Sequence, residues 1–167
     1  GKSSVDSLAA QIILQNYLKG AACSNWLIPY MLTIKNLEKF TKQAQTSLDN
    51  VVREYCQHVF LSTLYTQPDS DRLLFKGGTA LRIVFRSPRY SEDLDFTGVN
   101  IQQREIEDIF MNTLSDIEHT GIRIDLGEGK PTTGGYLGMA NFFVYGQKIN
   151  IEIQISLRHG KNVSGVF

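Results

Sequence analysis

The segment KINIEIQIS restricts the fold of this chain more than any other stretch. Ile149, Ile151, Ile153 and Ile155 occupy every second position, with Lys148, Asn150, Glu152, Gln154 and Ser156 between them. Successive side chains of a strand point to opposite faces, so one face of this strand belongs to a core and the other meets water. The chain must build a sheet around that asymmetry.

The neighbouring pattern supplies the rest of the sheet. NFFVY reads as a strand joined to KINIEIQIS at Gly146 and Gln147, and IRIDL alternates in the same way. Between them GEGKPTTGGYLG reads as a glycine-rich excursion. The first part of the chain is helical in pattern. Val5, Leu8, Ala9, Ile12, Ile13 and Leu18 predict a first helix, and CSNWLIPYMLT, interrupted by Pro29, a connector. Leu37, Phe40, Ala44, Leu48, Val51, Tyr55 and Val59 recur at helical spacing and predict one long amphipathic helix ending before Pro68. LLF predicts a short buried strand, ALRIVF a helix capped by Thr79 and stopped by RSPRYS, and LDFTGV the next strand. Asn100 and Gln103 read as a capping pair for a helix through Ile106, Ile109, Phe110, Leu114 and Ile117 up to Gly121. The expected class is α+β, a mixed sheet flanked by helices. A helical region over residues 1–70 would pack on a core spanning 71–167.

With 17 basic and 17 acidic residues the formal net charge is zero, which excludes a protein that coats nucleic acid by bulk attraction and leaves room for a local basic patch. Cys23 and Cys56 lack the spacing of a zinc ligand pair and are expected to be reduced and buried. No apolar run reaches the roughly 18 residues of a membrane helix, and the start GKSSVDSLAA lacks the order of a signal peptide, so a cytoplasmic protein is expected. His58, His119 and His159 are scattered without metal-ligand spacing, and no Ser/His/Asp arrangement suggests acyl transfer.

Three motifs carry chemistry. In LLFKGGTALRIVF, Gly77 and Gly78 let the backbone approach a ligand, and the helix after them presents unpaired N–H groups that suit phosphate oxygens. Taken alone, KGGT also fits a plain strand-to-helix turn. In SEDLDFTG, Asp93 and Asp95 stand two apart at the start of a strand and point the same way, an arrangement that a divalent cation such as magnesium stabilises. A bare pair of this kind also fits a solvated strand edge. Glu152 is a third carboxylate, on the wet face of the isoleucine strand.

The order of a glycine pair opening a helix, an Asp-x-Asp and a later acidic residue in a strand resembles the polymerase-beta-like nucleotidyltransferase superfamily. The wording FKGGTAL followed by RYSEDLDF resembles its AbiEii/AbiGii toxin branch, known from bacterial toxin–antitoxin and abortive-infection systems. The close match covers about Leu73 to Thr97 and extends more loosely to Ser156. The resemblance implies a nucleotidyltransferase fold with Gly77 and Gly78 in the glycine motif and Asp93, Asp95 and Glu152 as metal-binding acids. A pair of magnesium ions, or manganese in their place, would serve transfer of a nucleoside monophosphate from a nucleoside triphosphate to an acceptor hydroxyl. Ser91 and Arg89 fall within the family wording, Thr79 follows the glycines, and Lys76 and Lys148 would reach the nucleotide as point charges. An RNA acceptor such as a tRNA end and a cognate antitoxin are the implied partners. Full-length members usually carry a helical C-terminal region, whereas this sequence stops at Phe167. Two other readings compete. A metal-dependent nuclease would need a lysine where Gln154 stands, and a nucleotide-binding module without turnover would not need all three acids intact.

Overall fold

A computed structural model of the chain describes residues 32–159. The helix expected over Val5–Leu18, most of the connector and Cys23 lie outside the described residues. The described elements are α1 (Ile34–Ala44), α2 (Leu48–Leu64), a 3-10 turn (Ser70–Arg72), β1 (Leu73–Lys76), α3 (Gly77–Phe85), β2 (Leu94–Val99), α4 (Gln103–His119), β3 (Arg123–Leu126), β4 (Lys130–Thr132), β5 (Gly135–Val144) and β6 (Gln147–Arg158).

The helix expected from Leu37 to beyond Val59 is two helices. Gln45 turns into the left-handed region at φ 50°, and Ser47 then caps α2 by accepting from the Asn50 N–H at 3.2 Å. Ala44 and Leu48 keep the four-residue spacing across the break, which is why periodicity alone runs straight through it. The cap of α4 also moves. Asn100 adopts φ 51° and binds the Arg158 carbonyl through its N–H at 3.0 Å, while the Gln102 N–H donates to Glu105 Oε2 at 2.7 Å. The glycine-rich excursion is a hairpin in which β4 pairs with the start of β5.

The expected mixed sheet is present. Its strands run β1-β2-β6-β5-β3, with β4 on the same edge of β5 as β3. Among the described strands only β2 and β6 pair in parallel. Ile149, Ile151, Ile153 and Ile155 are all buried, together with Leu94, Phe96, Ala140 and Phe142. α2 and α4 cover this side. Phe60 of α2 meets Phe110 of α4 edge to face at 5.8 Å, and Phe110 in turn meets Tyr136 of β5 at 6.0 Å. One apolar cluster runs from Leu37 to Ile155, so helices and sheet share a core. Cys56 is a free thiol within it, and burial pushes it up to about 12. No helix among the described residues is long and apolar enough to cross a membrane.

His58 of α2 lies half-buried beside this core. Burial, and then the nearby Arg82 cation, lower its imidazole from the usual 6.5 to about 4. Glu54 lies 4.0 Å from His58 Nε2 and would favour the charged form, but its carboxylate is already forked by the Arg82 guanidinium at 3.1 to 3.2 Å. Below 6.5 the unfolded chain takes up a proton that the folded chain refuses until about 4. Stability conferred by neutral His58 is therefore complete above 6.5 and falls with pH through this window, by about 3 kcal/mol in all. Urea unfolding of the protein and of His58→Gln at pH 7 and pH 4.5 checks this. The variant is expected to lose clearly less stability between the two pH values, and equal losses would refute the assignment.

Candidate active site

The parallel pairing of β2 with β6 sets Leu94 opposite Ile153 and Asp95 opposite Gln154. Paired residues share a face, so Asp95 and Gln154 stand on the side that the helices leave open. Asp93 and Glu152, one step before the ladder begins, follow the same alternation onto that side. The Asp93 carboxyl is raised above the ordinary carboxylate range, first by burial and then by the negative charges of Glu152, Asp95 and Glu92, with Arg53 acting against them. Glu152 Oε1 accepts from Gln154 Nε2 at 2.7 Å. The structure thus brings the three sequence-predicted acids into electrostatic contact.

β1 ends at Lys76, the cross-strand partner of Asp95, and the chain turns at once into α3. Gly77 has φ +79°, and a Cβ on it would lie 2.1 Å from Asp95 Oδ2. Only glycine lets the helix start press against that carboxylate. A Cβ on Gly78 would lie 2.8 Å from Ser91 Oγ, so the second glycine makes the same close approach to the loop before Asp93. Thr79 does not cap α3. It is fully buried, and its Oγ1 donates to the Asp93 carbonyl at 2.5 Å. The N-cap position is taken by Lys76, without a side-chain capping bond, so no side chain occupies the first N–H groups of α3 in the way Thr79 was expected to. Lys76 Nζ instead donates to Ser156 Oγ at 3.3 Å across the open face.

Sequence reasoning missed two residues. Gln57 of α2 is almost fully buried, and its Nε2 donates to the carbonyls of Ser91 and Glu92 at 2.9 and 3.0 Å. The amide closes the loop onto α2 just before Asp93, while Thr79 holds Asp93 itself from the other side. Arg53, one helical turn earlier, donates to the Asn150 carbonyl at 2.7 Å and faces Asp93 electrostatically. Neither residue belongs to a local motif, since both act from a helix more than 30 residues upstream. A polar residue inside an apolar stripe was the one available signal. Arg89 lies exposed in the loop after α3, and the Arg82 guanidinium near it is committed to Glu54, Ser87 and the Tyr90 ring. Lys148 lies four residues before Glu152 on the same face, with its Nζ 5.7 Å from the Phe143 ring.

Could these residues hold magnesium? Among the described residues no three Asp, Glu, His or Cys side chains are gathered into a ready-made cage. Magnesium does not need one, because it retains waters and is commonly bound by one or two carboxylates together with substrate phosphates. Burial first, and then the negative charges of Glu152, Asp95 and Glu92, raise the Asp93 carboxyl, and a cation bound there would relieve that repulsion, so the donor set fits.

A helix starting on a glycine pair, packed against an Asp-x-Asp strand of a mixed sheet, defines a nucleotidyltransferase-like fold. The comparison with protein families is specific: the family model described as "Nucleotidyl transferase AbiEii toxin, Type IV TA system" matches residues 59–161, more than half of the chain. The chain belongs to this family, and its enzyme class is nucleotidyltransferase. No curated protein matches it.

Two substitutions test the geometry. Gly77→Ala forces a side chain into the Asp95 carboxylate and strains a left-handed backbone, and it is expected to reduce nucleotide transfer by about 100-fold or more. Gln57→Leu keeps the volume but frees the loop carbonyls, with an expected stability loss of about 1–3 kcal/mol and a lowered kcat. Transfer assays beside thermal melts read both effects, and wild-type turnover in either variant would contradict the assigned contacts.

Proposed function

We propose that this enzyme moves the nucleoside monophosphate of a nucleoside triphosphate onto a hydroxyl at an RNA end, a tRNA end being the first candidate, with Asp93, Asp95 and Glu152 holding magnesium. The carrying observation is the contact of Gly77 with Asp95, which puts a helix N-terminus and a carboxylate pair against one another. Phosphate oxygens and divalent cations are the two groups such a junction suits. Bound magnesium would neutralise triphosphate charge and make the acceptor hydroxyl more acidic.

The chain's own groups then have separate tasks. The first N–H groups of α3, with Ser91 beside Gly78 and Arg89 in the loop, receive the triphosphate. Lys76, anchored near by on Ser156, adds a positive charge on the same face. Glu152 has one oxygen occupied by Gln154 Nε2, and its other oxygen takes the proton of the acceptor hydroxyl. The hydroxyl oxygen bonds to the alpha-phosphorus as the bond to the beta-phosphate oxygen breaks, and pyrophosphate leaves. In a type IV toxin–antitoxin setting this transfer is the toxic activity, and a cognate antitoxin would oppose it.

Incubation with magnesium, each alpha-labelled nucleoside triphosphate and total tRNA, beside Asp95→Asn, tests the reading. Label is expected on RNA with the native chain and to fall by about 1,000-fold in the variant. Equal labelling by both would sink the proposal, as would the absence of label with any triphosphate.

A further inference from the structure

The open side of the sheet does not end at the carboxylates. Arg123 of β3, Phe143 of β5 and Lys148 of β6 stand in one row across three strands, because Arg123 pairs with Phe143 and Phe143 pairs with Lys148. The Arg123 guanidinium carbon lies 4.6 Å from the Phe143 ring centre and Lys148 Nζ lies 5.7 Å from it. Both cations are exposed, Phe143 is half-buried, and no described element covers them. Strand alternation puts Lys148 on the same face as Glu152, four residues away and therefore about 13 Å along β6. Between the two lie the neutral amides of Asn150 and Asn141, the latter tying down the carboxylate of Asp125 at 2.6 Å.

The row is not needed to hold the sheet, since an exposed cation–π pair contributes only about 0.5–1 kcal/mol. Its chemistry suits a different task. An aromatic ring layered with a guanidinium plane offers a stacking surface for an unpaired base, and two flanking cations meet the phosphates on either side of it. The zero net charge of the chain makes a local device of this kind necessary if a nucleic-acid strand is to be bound at all. We infer that Arg123, Phe143 and Lys148 form a platform for single-stranded nucleic acid, holding the acceptor strand some 13 Å from the carboxylates that meet its terminal hydroxyl. The inference rests on the proposed transfer to an RNA end and adds where that strand lies. It also gives Lys148 a different task from the triphosphate contact expected from sequence.

Fluorescence anisotropy of a labelled single-stranded RNA oligonucleotide with a free 3′ hydroxyl, titrated with the full chain at several salt concentrations, tests it. In single strands each lost phosphate contact flattens the plot of log affinity against log salt by about 0.7, so Arg123→Gln with Lys148→Gln should flatten it by about 1.4. Phe143→Leu should weaken binding about 10-fold, whereas Phe143→Tyr, which keeps the ring, should bind as the native chain does. Unchanged affinity and slope in variants with native melting temperatures would overturn the inference, as would a native chain that does not bind the oligonucleotide. Labelling of RNA with an unaltered acceptor KM in the variants would defeat the platform alone. Loss of oligonucleotide binding in the variants, beside a native chain that transfers no label, would defeat the transfer reading alone.

Discussion

Three carboxylates of like sign stand close together on one sheet face, and what holds them there is the apolar side of the same strands. The parallel ladder fixes Asp93 and Asp95 beside Glu152 and Gln154 only because Leu94, Phe96, Ile153 and Ile155 are locked into the core behind them. Each of those side chains contributes about 1.5–3 kcal/mol on burial. The ladder stays intact, and the Asp93 carboxyl is raised first by burial and then by the negative charges of Glu152, Asp95 and Glu92.

The backbone around Asp93 is fixed with equal economy. Its own carbonyl is taken by Thr79, the two carbonyls before it by Gln57, and its strand continues into the ladder with β6. α2 and α3, far apart in sequence from each other's partners, thus meet at one loop. Gly77 completes the arrangement by removing the one side chain that would push Asp95 away. Rigid support of this kind is what positions a reacting group, since displacements near 1 Å are enough to cost about two orders of magnitude in rate.

Much of this was legible in the chain. The period-two isoleucines gave β6 its two faces, and the strand LDFTGV matches β2 from its first residue to its last. Local pattern was sufficient there because both strands obey one rule along their whole length. The break at Gln45 was not legible, because a helix and a helix–turn–helix with conserved spacing carry the same apolar stripe. Ser and Thr often cap helices, so Thr79 reads as a cap in the sequence, yet its hydroxyl donates to a carbonyl 14 residues away. Gln57 and Arg53 were invisible for the same reason: their partners lie 34 and 97 residues off, and only the register of the fold brings them together. Alternation alone puts Lys148 on the face of Glu152, but the ring beside it comes from β5 and the second cation from β3, which no single-strand pattern contains.

The wet face of β6 orders the chemistry of the whole sheet. Lys148 lies beside the aromatic ring, Asn150 lends its carbonyl to Arg53, Glu152 faces the aspartates, Gln154 holds Glu152, and Ser156 anchors Lys76. Cation, amide, acid, amide and hydroxyl thus succeed one another at steps of about 7 Å. Helices can cover only one side of such a strand without burying unpaired charge, and here they cover the isoleucines. The side left open follows from the same alternation that built the core, so the constraint that makes the sheet fold is also the one that exposes its charged groups in a single line.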